Sequence, residues 1–444
     1  MTGDGQHGSD DLPPRSTTAS NSPEPTNFVD VVVIGAGLAG LRCAVDLASQ
    51  GLDVVVVEAR HRVGGRVWSH RFANGQVCER GAEFVDGHHA AVLGLAAELG
   101  LGISDRVSDV DLDGTLVDAG GRAVPMRLHA TLADDVARWD HALRSLDPLT
   151  APDDASLAVL IASLGLSAVS QLVVGRDVRT EFMLPPEEIS QRFAAHVTSQ
   201  QAAGRREVHR IVGGNDQLAT GLARLCSAAG GRIMLGAPVA AVDADRGRVR
   251  LVAGEVLEAR AVVAAVPVPV LARLWSDIPP DLAALGYGIG GKISIQFSRR
   301  LWRDLGRSGT VLSDRRWGHL WETTDDQEGD AGVLTNLLAS HDGASFAALP
   351  EAPEQLLAEI DRLFPGARGL AGERVHTDWT NDPHSLGCYV CAGPGQWVTA
   401  RQAMAEPSGR LWIAGEHEDE FTGYMEGALR SGRRTAARVA EAVG

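Results

Sequence analysis

The sequence lacks the features of several classes of protein. Its 444 residues contain no uninterrupted apolar span of membrane length, so we predict no membrane partner and, by default, a cytoplasmic protein. Acidic residues outnumber basic ones, with 57 Asp and Glu to 41 Lys and Arg, and the net charge is −16. This acidity disfavours nucleic acid as a partner and mildly favours a cationic substrate, although it can also serve solubility alone.

Cysteines are few and odd in number, which argues against a disulfide framework in so long a chain. Cys388 and Cys391 have the spacing of a zinc-binding pair, but no second pair accompanies them, and we predict no metal site. The first residues also lack an apolar core and a twin-arginine pair. Because they are rich in Gly, Ser, Thr, Pro and Asp, we predict a disordered tail over residues 1–27.

A strand–turn–helix–strand pattern follows this tail. Val29–Ile34 is an apolar run of strand length, and the six residues Gly35–Gly40 read G-A-G-L-A-G. An alanine-rich helical pattern comes next, and Leu52–Val57 then predicts a second buried strand that Glu58 closes. Glycines at these positions between a strand and a helix are typical of a dinucleotide-binding fold.

The residue types in this pattern suit a phosphate ligand. Gly35 permits the tight turn, Gly37 lets the backbone approach a pyrophosphate, and Gly40 lets the helix pack close to the strand. The positive end of the helix dipole would face the phosphate charge. The Glu58 carboxylate can accept hydrogen bonds from both ribose hydroxyls of an adenosine, and it would repel a 2′-phosphate, which argues against NADP.

Motifs at both ends of the chain resemble the flavin-containing amine oxidase family of monoamine and polyamine oxidases. Gly64-Gly65-Arg66 resembles its second flavin fingerprint, and Leu411–Glu416 with Thr422–Ala428 resembles its closing motif. Val212-Gly213-Gly214, the strand Val262–Pro267 and Lys292 extend the resemblance to about residues 29–439.

The resemblance implies an α/β fold in which a Rossmann-like FAD-binding domain is interleaved with an α+β substrate-binding domain. The α/β pattern is interrupted by helical periodicity and later by alternating strands, so both domains are expected to be discontinuous. We assign residues 28–85, 205–289 and 379–444 to the FAD-binding domain and residues 86–204 and 290–378 to the substrate-binding domain.

FAD is the cofactor that the resemblance implies, bound near both ends of the chain. Glu416 is a strand-end carboxylate that could accept hydrogen bonds from the ribityl hydroxyls, or simply one more charge in an acidic run. We interpret His417 in that run as a solvated or second-shell histidine rather than a metal ligand. The implied FAD contacts are Gly35, Gly37, Leu38, Ala39, Gly40, Glu58, Ala59, Arg60, Gly65, Arg66, Val239, Cys388, Gly415, Glu416 and Met425.

The resemblance also implies the catalytic residues. Lys292 corresponds to the family lysine that holds a water near flavin N5, although a lysine on this strand could instead face solvent. Tyr389 and Tyr424, two of only three tyrosines, match the aromatic cage that brackets the substrate amine. Phe84 and Asp86 complete the implied substrate contacts, with the alternative that Asp86 is a turn residue before a helix.

Cys388 directly precedes the first tyrosine of this implied cage. Covalent-flavin members of the family have a cysteine there, so Cys388 could form a thioether to the flavin 8α carbon. A free cysteine beside a noncovalent flavin stays equally open.

The resulting hypothesis is an FAD-dependent oxidation of a small amine. The amine becomes an imine, which water hydrolyses to an aldehyde or ketone plus amine or ammonia, while molecular oxygen is reduced to hydrogen peroxide. One alternative is an L-amino-acid oxidase, which would need an arginine to bind the substrate carboxylate. Another is a flavin-binding protein that has a partner and no turnover. The sequence leaves a homodimer open.

Overall fold

The computed structural model describes residues 27–105, 114–201 and 208–444. The predicted tail lies outside these ranges except for Asn27, which begins the first strand. All five cysteines are free, and none of the helices within the described ranges is long and apolar enough to cross a membrane.

Within the described residues, the strands fall into two large sheets and two small pairs. In chain order they are β1 Asn27–Ile34, β2 Val54–Glu58, β3 Ser69–Arg71, β4 Val77–Glu79, β5 Val85–Asp86, β6 Leu116–Ala119, β7 Arg122–Pro125, β8 Val208–His209, β9 Arg232–Leu235, β10 Val239–Asp243, β11 Arg248–Leu251, β12 Val256–Ala264, β13 Gly290–Phe297, β14 Val311–Ser313, β15 His319–Glu322, β16 Gly332–Ala339, β17 Ala371–Asp378 and β18 Leu411–Ile413.

Helices cover the first sheet and pack around the second. They are α1 Leu38–Ala48, α2 Ala90–Glu98, α3 Leu132–Arg144, α4 Leu157–Ser163, α5 Ala168–Phe182, α6 Gln191–Gln200, α7 Asp216–Ala228, α8 Val268–Leu274, α9 Pro280–Ala283, α10 Leu301–Asp304, α11 Ser340–Ala347, α12 Ala352–Leu363, α13 Trp397–Met404 and α14 Met425–Val443.

The first sheet has a parallel centre that is buried on both faces. β1 pairs in parallel with β2 and β12, β2 pairs with β9, and β12 pairs with β18. Along β1, Val31 and Val33 enter the core under α1 and α14, whereas Val32 and Ile34 enter the core on the opposite face. Burial on both faces explains why these strands are near-continuous runs of valine rather than alternating patterns. The predicted α/β class is confirmed.

The second sheet is largely antiparallel and contains β13 between β16 and β17. Its other strands run in the order β15, β14, β6 and β7. Apart from Asn27 at the start of β1, the strands of the first sheet lie in the segments assigned from the sequence to the FAD-binding domain, and those of the second lie in the segments assigned to the substrate-binding domain. The domain limits themselves stay a prediction.

One strand boundary was wrong. The strand expected over Val262–Pro267 begins earlier and ends sooner, because β12 is continuous from Val256 to Ala264. Its first half pairs with β11 and its second half with β18, so two different neighbours share one edge of a single strand.

The carboxyl ends of the central parallel strands position the site. Gly35 follows β1, Glu58 ends β2 and Ala265 follows β12, so these residues meet at one edge of the sheet. A Cβ on Gly35 would lie 2.8 Å from the Ala265 carbonyl oxygen, and a Cβ on Gly40 would lie 2.0 Å from the Gly35 carbonyl oxygen. The close approach of α1 to the strand ends therefore depends on glycine.

We expect Gly40→Ala to destabilise the fold by about 1–3 kcal/mol, because the added methyl overlaps the backbone of the preceding turn. Urea unfolding followed by circular dichroism measures this change. Gly94→Ala is the matched control, since Gly94 is an exposed residue within α2 with no atom within 4 Å of the added Cβ. It should gain about 0.5–1 kcal/mol from helix propensity. Equal behaviour of the two variants would contradict the packing role of Gly40.

Candidate active site

Two adjoining cavities lie at the carboxyl edge of the first sheet. The larger has a volume of about 870 Å³ and the smaller about 290 Å³. Gly37, Arg66, Ala265 and Val266 line both cavities, so the two meet where β1, α1 and the end of β12 converge. This shape suits one elongated ligand with a narrow part at the glycine turn.

The smaller cavity contains the carboxylate at the end of β2. Glu58 is buried, and its two oxygens accept the N–H groups of Ala36 at 2.9 Å and Arg60 at 2.8 Å. Arg60 in turn donates to Ser385 Oγ at 2.9 Å and contacts Asp382. These bonds hold the carboxylate in place at the cavity wall. The predicted cofactor residues that line this cavity are Gly35, Gly37, Glu58, Ala59, Arg60, Gly65, Arg66 and Val239.

The start of α1 meets the requirements of a pyrophosphate site. Gly37 precedes the helix with no side-chain cap, and the first turn contains no acidic residue. A Cβ added to Gly37 would meet no atom within 4 Å, so this glycine borders open space where Gly35 and Gly40 border packed backbone. The first N–H groups of the helix are therefore accessible to an anion.

An ion pair joins the two ends of the chain in the wall of the larger cavity. Arg66 Nη1 lies 2.9 Å from Glu416 Oε1, and it also donates to the Cys388 carbonyl at 2.7 Å. The other Glu416 oxygen accepts the Gly423 N–H at 2.9 Å. The predicted cofactor residues that line this cavity are Gly37, Leu38, Ala39, Arg66, Cys388, Gly415, Glu416 and Met425. Gly40 lines neither cavity and acts through packing.

Lys292 lies in the wall of the larger cavity and not on the solvent face of its strand. It is 7% exposed, and its Nζ donates to Glu83 Oε2 at 2.8 Å and to the Gly81 carbonyl at 2.9 Å. Glu83 is buried and also pairs with Arg210. Burial opposes ionisation of this carboxyl, but the charges of Lys292 and Arg210 outweigh it and lower the pKa of Glu83 to about 2.

Tyr389 and Tyr424 line the same cavity, and both are held by Glu181 at the end of α5. The Tyr389 hydroxyl donates to the Glu181 carbonyl at 2.8 Å, and the Tyr424 hydroxyl donates to the Glu181 carboxylate at 2.7 Å. Gln201 donates to the Tyr424 oxygen and to the same carboxylate. Burial raises the pKa of Tyr389 well above its usual value, so this ring is neutral.

Of the predicted substrate residues, the structure places Phe84 in the cavity wall but not Asp86. Asp86 ends β5 and is buried in the turn before α2, where its backbone N–H donates to His89 Nδ1 at 3.1 Å. Its carboxylate lies 3.7 Å from His89 Nε2. The geometry therefore matches the turn alternative, because the chain must reverse between β5 and α2.

Asp86, His88 and His89 form a cluster whose ligand atoms lie within 4.8 Å of one another. His88 Nε2 lies 2.9 Å from the Gln200 carbonyl, and His89 Nδ1 accepts the N–H of Asp86. One ring nitrogen of each histidine therefore already lies at hydrogen-bond distance from another group of the protein.

His417 is buried, which excludes the solvated alternative of the prediction and leaves the second-shell one. It is 1% exposed, its Nδ1 lies 3.1 Å from Tyr287 Oη, and burial lowers the pKa of the imidazole to about 4. The neutral ring lines the larger cavity, and its Nε2 has no hydrogen-bond partner among the described residues. An unsatisfied buried nitrogen here fits a site that receives a polar ligand.

Comparison with known proteins agrees with this geometry. The family model for flavin-containing amine oxidoreductases matches residues 38–440. The chain belongs to this family. The predicted resemblance is thereby confirmed, and with it an amine oxidase that works with a flavin.

Related family members cover nearly the whole chain. A Mycobacterium tuberculosis protein named as flavin-containing monoamine oxidase AofH is 29% identical over 96% of this chain and 99% of its own length. Human amine oxidase B is 26% identical over 94% of this chain and 87% of its own length.

Solved structures of amine oxidases share the fold. Putrescine oxidase bound to putrescine matches with a TM-score of 0.82, at 23% identity, over 94% of this chain and 100% of that one. Cyclohexylamine oxidase from Brevibacterium oxydans matches with a TM-score of 0.78, at 24% identity, over 93% of this chain and 99% of that one.

Several residues of the site were missed from the sequence. Glu83, Arg210 and Trp321 come from three separate segments and meet only in the folded protein. The one local signal for Glu83 was its position in Gly81-Ala82-Glu83-Phe84, where a carboxylate stands between two small residues and an aromatic residue. Glu181 carried no comparable signal, because it lies in a helical block of ordinary composition.

Proposed function

We propose that this family member oxidises a small amine with FAD as cofactor and molecular oxygen as electron acceptor. The amine loses two electrons and two protons to become an imine, water hydrolyses the imine to an aldehyde or ketone plus amine or ammonia, and oxygen becomes hydrogen peroxide. The observation that carries this proposal is the larger cavity, which residues of the flavin motifs share with Lys292, Tyr389 and Tyr424.

The length of the joined cavities supports FAD rather than a smaller flavin. The smaller cavity, with Glu58 in its wall, suits an adenosine ribose, and the start of α1 between the cavities suits a pyrophosphate. Bound FAD would supply the redox chemistry by taking a hydride equivalent from the amine carbon.

The side chains of the larger cavity would orient the amine and exclude water. The faces of Tyr389 and Tyr424 would bracket the amine, since both hydroxyls are tied to Glu181 and the rings have fixed positions. Phe84 adds an apolar wall and packs against Trp321 at a ring distance of 6.2 Å. Lys292 would hold a water or an oxygen-derived group through its ammonium.

The pairing of charges favours an amine over an amino acid as substrate. An L-amino-acid oxidase needs a cation available for the substrate carboxylate. Within the described ranges, every lysine and arginine that lines the larger cavity is already paired with a carboxylate. The pairs are Arg66–Glu416, Arg210–Glu83, Lys292–Glu83 and Arg303–Glu322.

We expect Glu58→Ala to purify with little or no FAD, because the carboxylate that would hold the adenosine ribose is lost. The ratio of flavin absorbance to protein, after gel filtration, measures the occupancy. Glu441→Ala, which changes an exposed glutamate near the end of α14, is the control and should keep full occupancy. Full FAD occupancy in Glu58→Ala would remove the ribose assignment.

Anaerobic mixing with a panel of primary, secondary and polyamines should bleach the flavin of the wild-type protein. Tyr389→Ala and Tyr424→Ala should each keep their flavin and slow this bleaching by about 100-fold, because the amine loses its orientation. Tyr389→Phe and Tyr424→Phe keep the aromatic rings, so the rate of bleaching should fall much less in these two variants. No bleaching by any amine, together with bleaching by L-amino acids, would support the amino-acid alternative instead.

We also propose that Cys388 forms a thioether with the flavin 8α carbon. The new S–C bond would replace one S–H and one C–H bond, and oxygen would take the two electrons and two protons. Burial raises the pKa of the Cys388 thiol to about 12, and the thiolate is the nucleophile. Linkage on reconstitution of the apoprotein with FAD should therefore rise with pH, about tenfold per unit below that pKa.

Acid precipitation followed by mass analysis measures this linkage. The wild-type pellet should stay yellow and carry the FAD mass on the peptide that contains Cys388. Cys388→Ala should release its flavin, while Cys78→Ala, which removes a buried cysteine outside the cavity wall, should retain it. Flavin that passes wholly to the supernatant at every pH would show a noncovalent cofactor.

A further inference from the structure

Lys292 is the only lysine of the chain, since every other residue among the 41 lysines and arginines is an arginine. An ammonium is a compact charge with three donors, whereas a guanidinium is a planar fork that is always charged. A chain that uses arginine at every other cationic position has kept the ammonium at this buried position in β13.

The protein engages two of the three N–H groups of this ammonium. One donates to the Gly81 carbonyl at 2.9 Å and one to Glu83 Oε2 at 2.8 Å. Nζ also lies 5.5 Å from the centroid of the Trp321 ring, and it has no third hydrogen-bond partner among the described residues. Because Lys292 lines the larger cavity, the third N–H is left for a group inside it.

The two carboxylate oxygens of Glu83 have different hydrogen-bond partners. Oε1 accepts from Thr323 Oγ1 at 2.6 Å, from Arg210 Nη2 at 3.0 Å and from Trp321 Nε1 at 3.1 Å. Oε2 faces Lys292. Arg210 is held in turn by Asp325 at 2.9 Å and Asp326 at 3.3 Å. Oε1 is thus fixed by hydrogen bonds from Thr323, Arg210 and Trp321, which we call the scaffold donors. Because Oε1 is fixed, the position of Oε2 is fixed as well.

We propose that Glu83 is the positioning residue for Lys292. Anchored through one oxygen to Thr323, Arg210 and Trp321, it holds the only ammonium of the chain so that one N–H faces the reaction cavity. Without this carboxylate, Lys292 would lose the contact that fixes its ammonium at the cavity wall. The inference rests on the role of Lys292 in the proposed function.

The lone lysine makes a selective test available. Among amino groups, acetic anhydride acylates only the neutral form, and the sequence contains one amino side chain, Lys292, besides the α-amino group. Purified full-length protein of measured flavin content is treated with the reagent, and mass spectrometry follows acetylation of the peptide that contains Lys292. The wild type should react slowly, since its ammonium is buried and paired.

Glu83→Gln is designed to remove the contact with Lys292 and to keep the contacts that Oε1 makes. Its amide oxygen will face the three scaffold donors, which leaves the NH₂ group opposite the ammonium as donor against donor. Lys292 should then be acetylated at least about tenfold faster than in the wild type, because a hydrogen bond to a charged group is lost. Thr323→Val is the control. It removes one donor to Oε1 but leaves Arg210, Trp321 and the Lys292 contact in place, so acetylation should rise much less than in Glu83→Gln.

Two further variants complete the test. Lys292→Met should abolish the signal, which confirms the assignment of the peptide. Glu83→Asp shortens the carboxylate by one methylene and serves if Glu83→Gln does not fold, and it should also accelerate acetylation. The proposal is overturned if the Glu83 variant that folds reacts at the wild-type rate, or if Thr323→Val accelerates acetylation as much as that variant does.

The bleaching of flavin by amines is measured on the same samples. A wild type that no amine bleaches would count against the proposed function and leave the acetylation result intact, so the two failures are distinguishable.

Discussion

The parallel pairing of β12 with β1 and β18 is the constraint on which the site depends. Parallel strands end at the same edge of a sheet, so segments far apart in the chain deliver their loops to one place. The N-terminal glycine turn, Glu58 and the acidic loop after β18 meet there for this reason. The Arg66–Glu416 ion pair then joins the two ends of the chain across the wall of the larger cavity. A change that shifted β12 would move both cavities together.

The larger cavity combines apolar and charged walls without leaving its cations unpaired. Each lysine or arginine in its described lining has a carboxylate partner, which lowers the cost of burying charge and removes the means to bind an anionic substrate group. The Glu181 carboxylate, in contrast, accepts hydrogen bonds from two neutral donors among the described residues, the Tyr424 hydroxyl and the Gln201 amide. This balance is consistent with an amine as the substrate.

Prediction from the sequence succeeded where function depends on local backbone geometry. The Gly35–Gly40 turn and the strand end at Glu58 are contiguous motifs, and their spacing alone predicts the α/β unit. The sequence left alternatives open where burial decides the role of a side chain. For His417 the sequence left a solvated and a second-shell position open, and the chain after β18 turns inward and packs the imidazole against Tyr287. For Asp86 the sequence left a substrate contact and a turn residue open, and the turn into α2 places it outside the cavity wall.

The sequence by itself determined the α/β class, the glycine turn and the family, because these follow from residue types at fixed short spacings. Only the tertiary structure decided which charges meet. Glu83, Lys292, Arg210 and Trp321 lie on different strands and loops, and their hydrogen bonds depend on how the second sheet packs beside the first. No spacing rule covers such long-range contacts, since burial and distance are properties of the packed chain. The same packing buries Lys292, the one lysine of the sequence, and places its ammonium in the wall of the larger cavity.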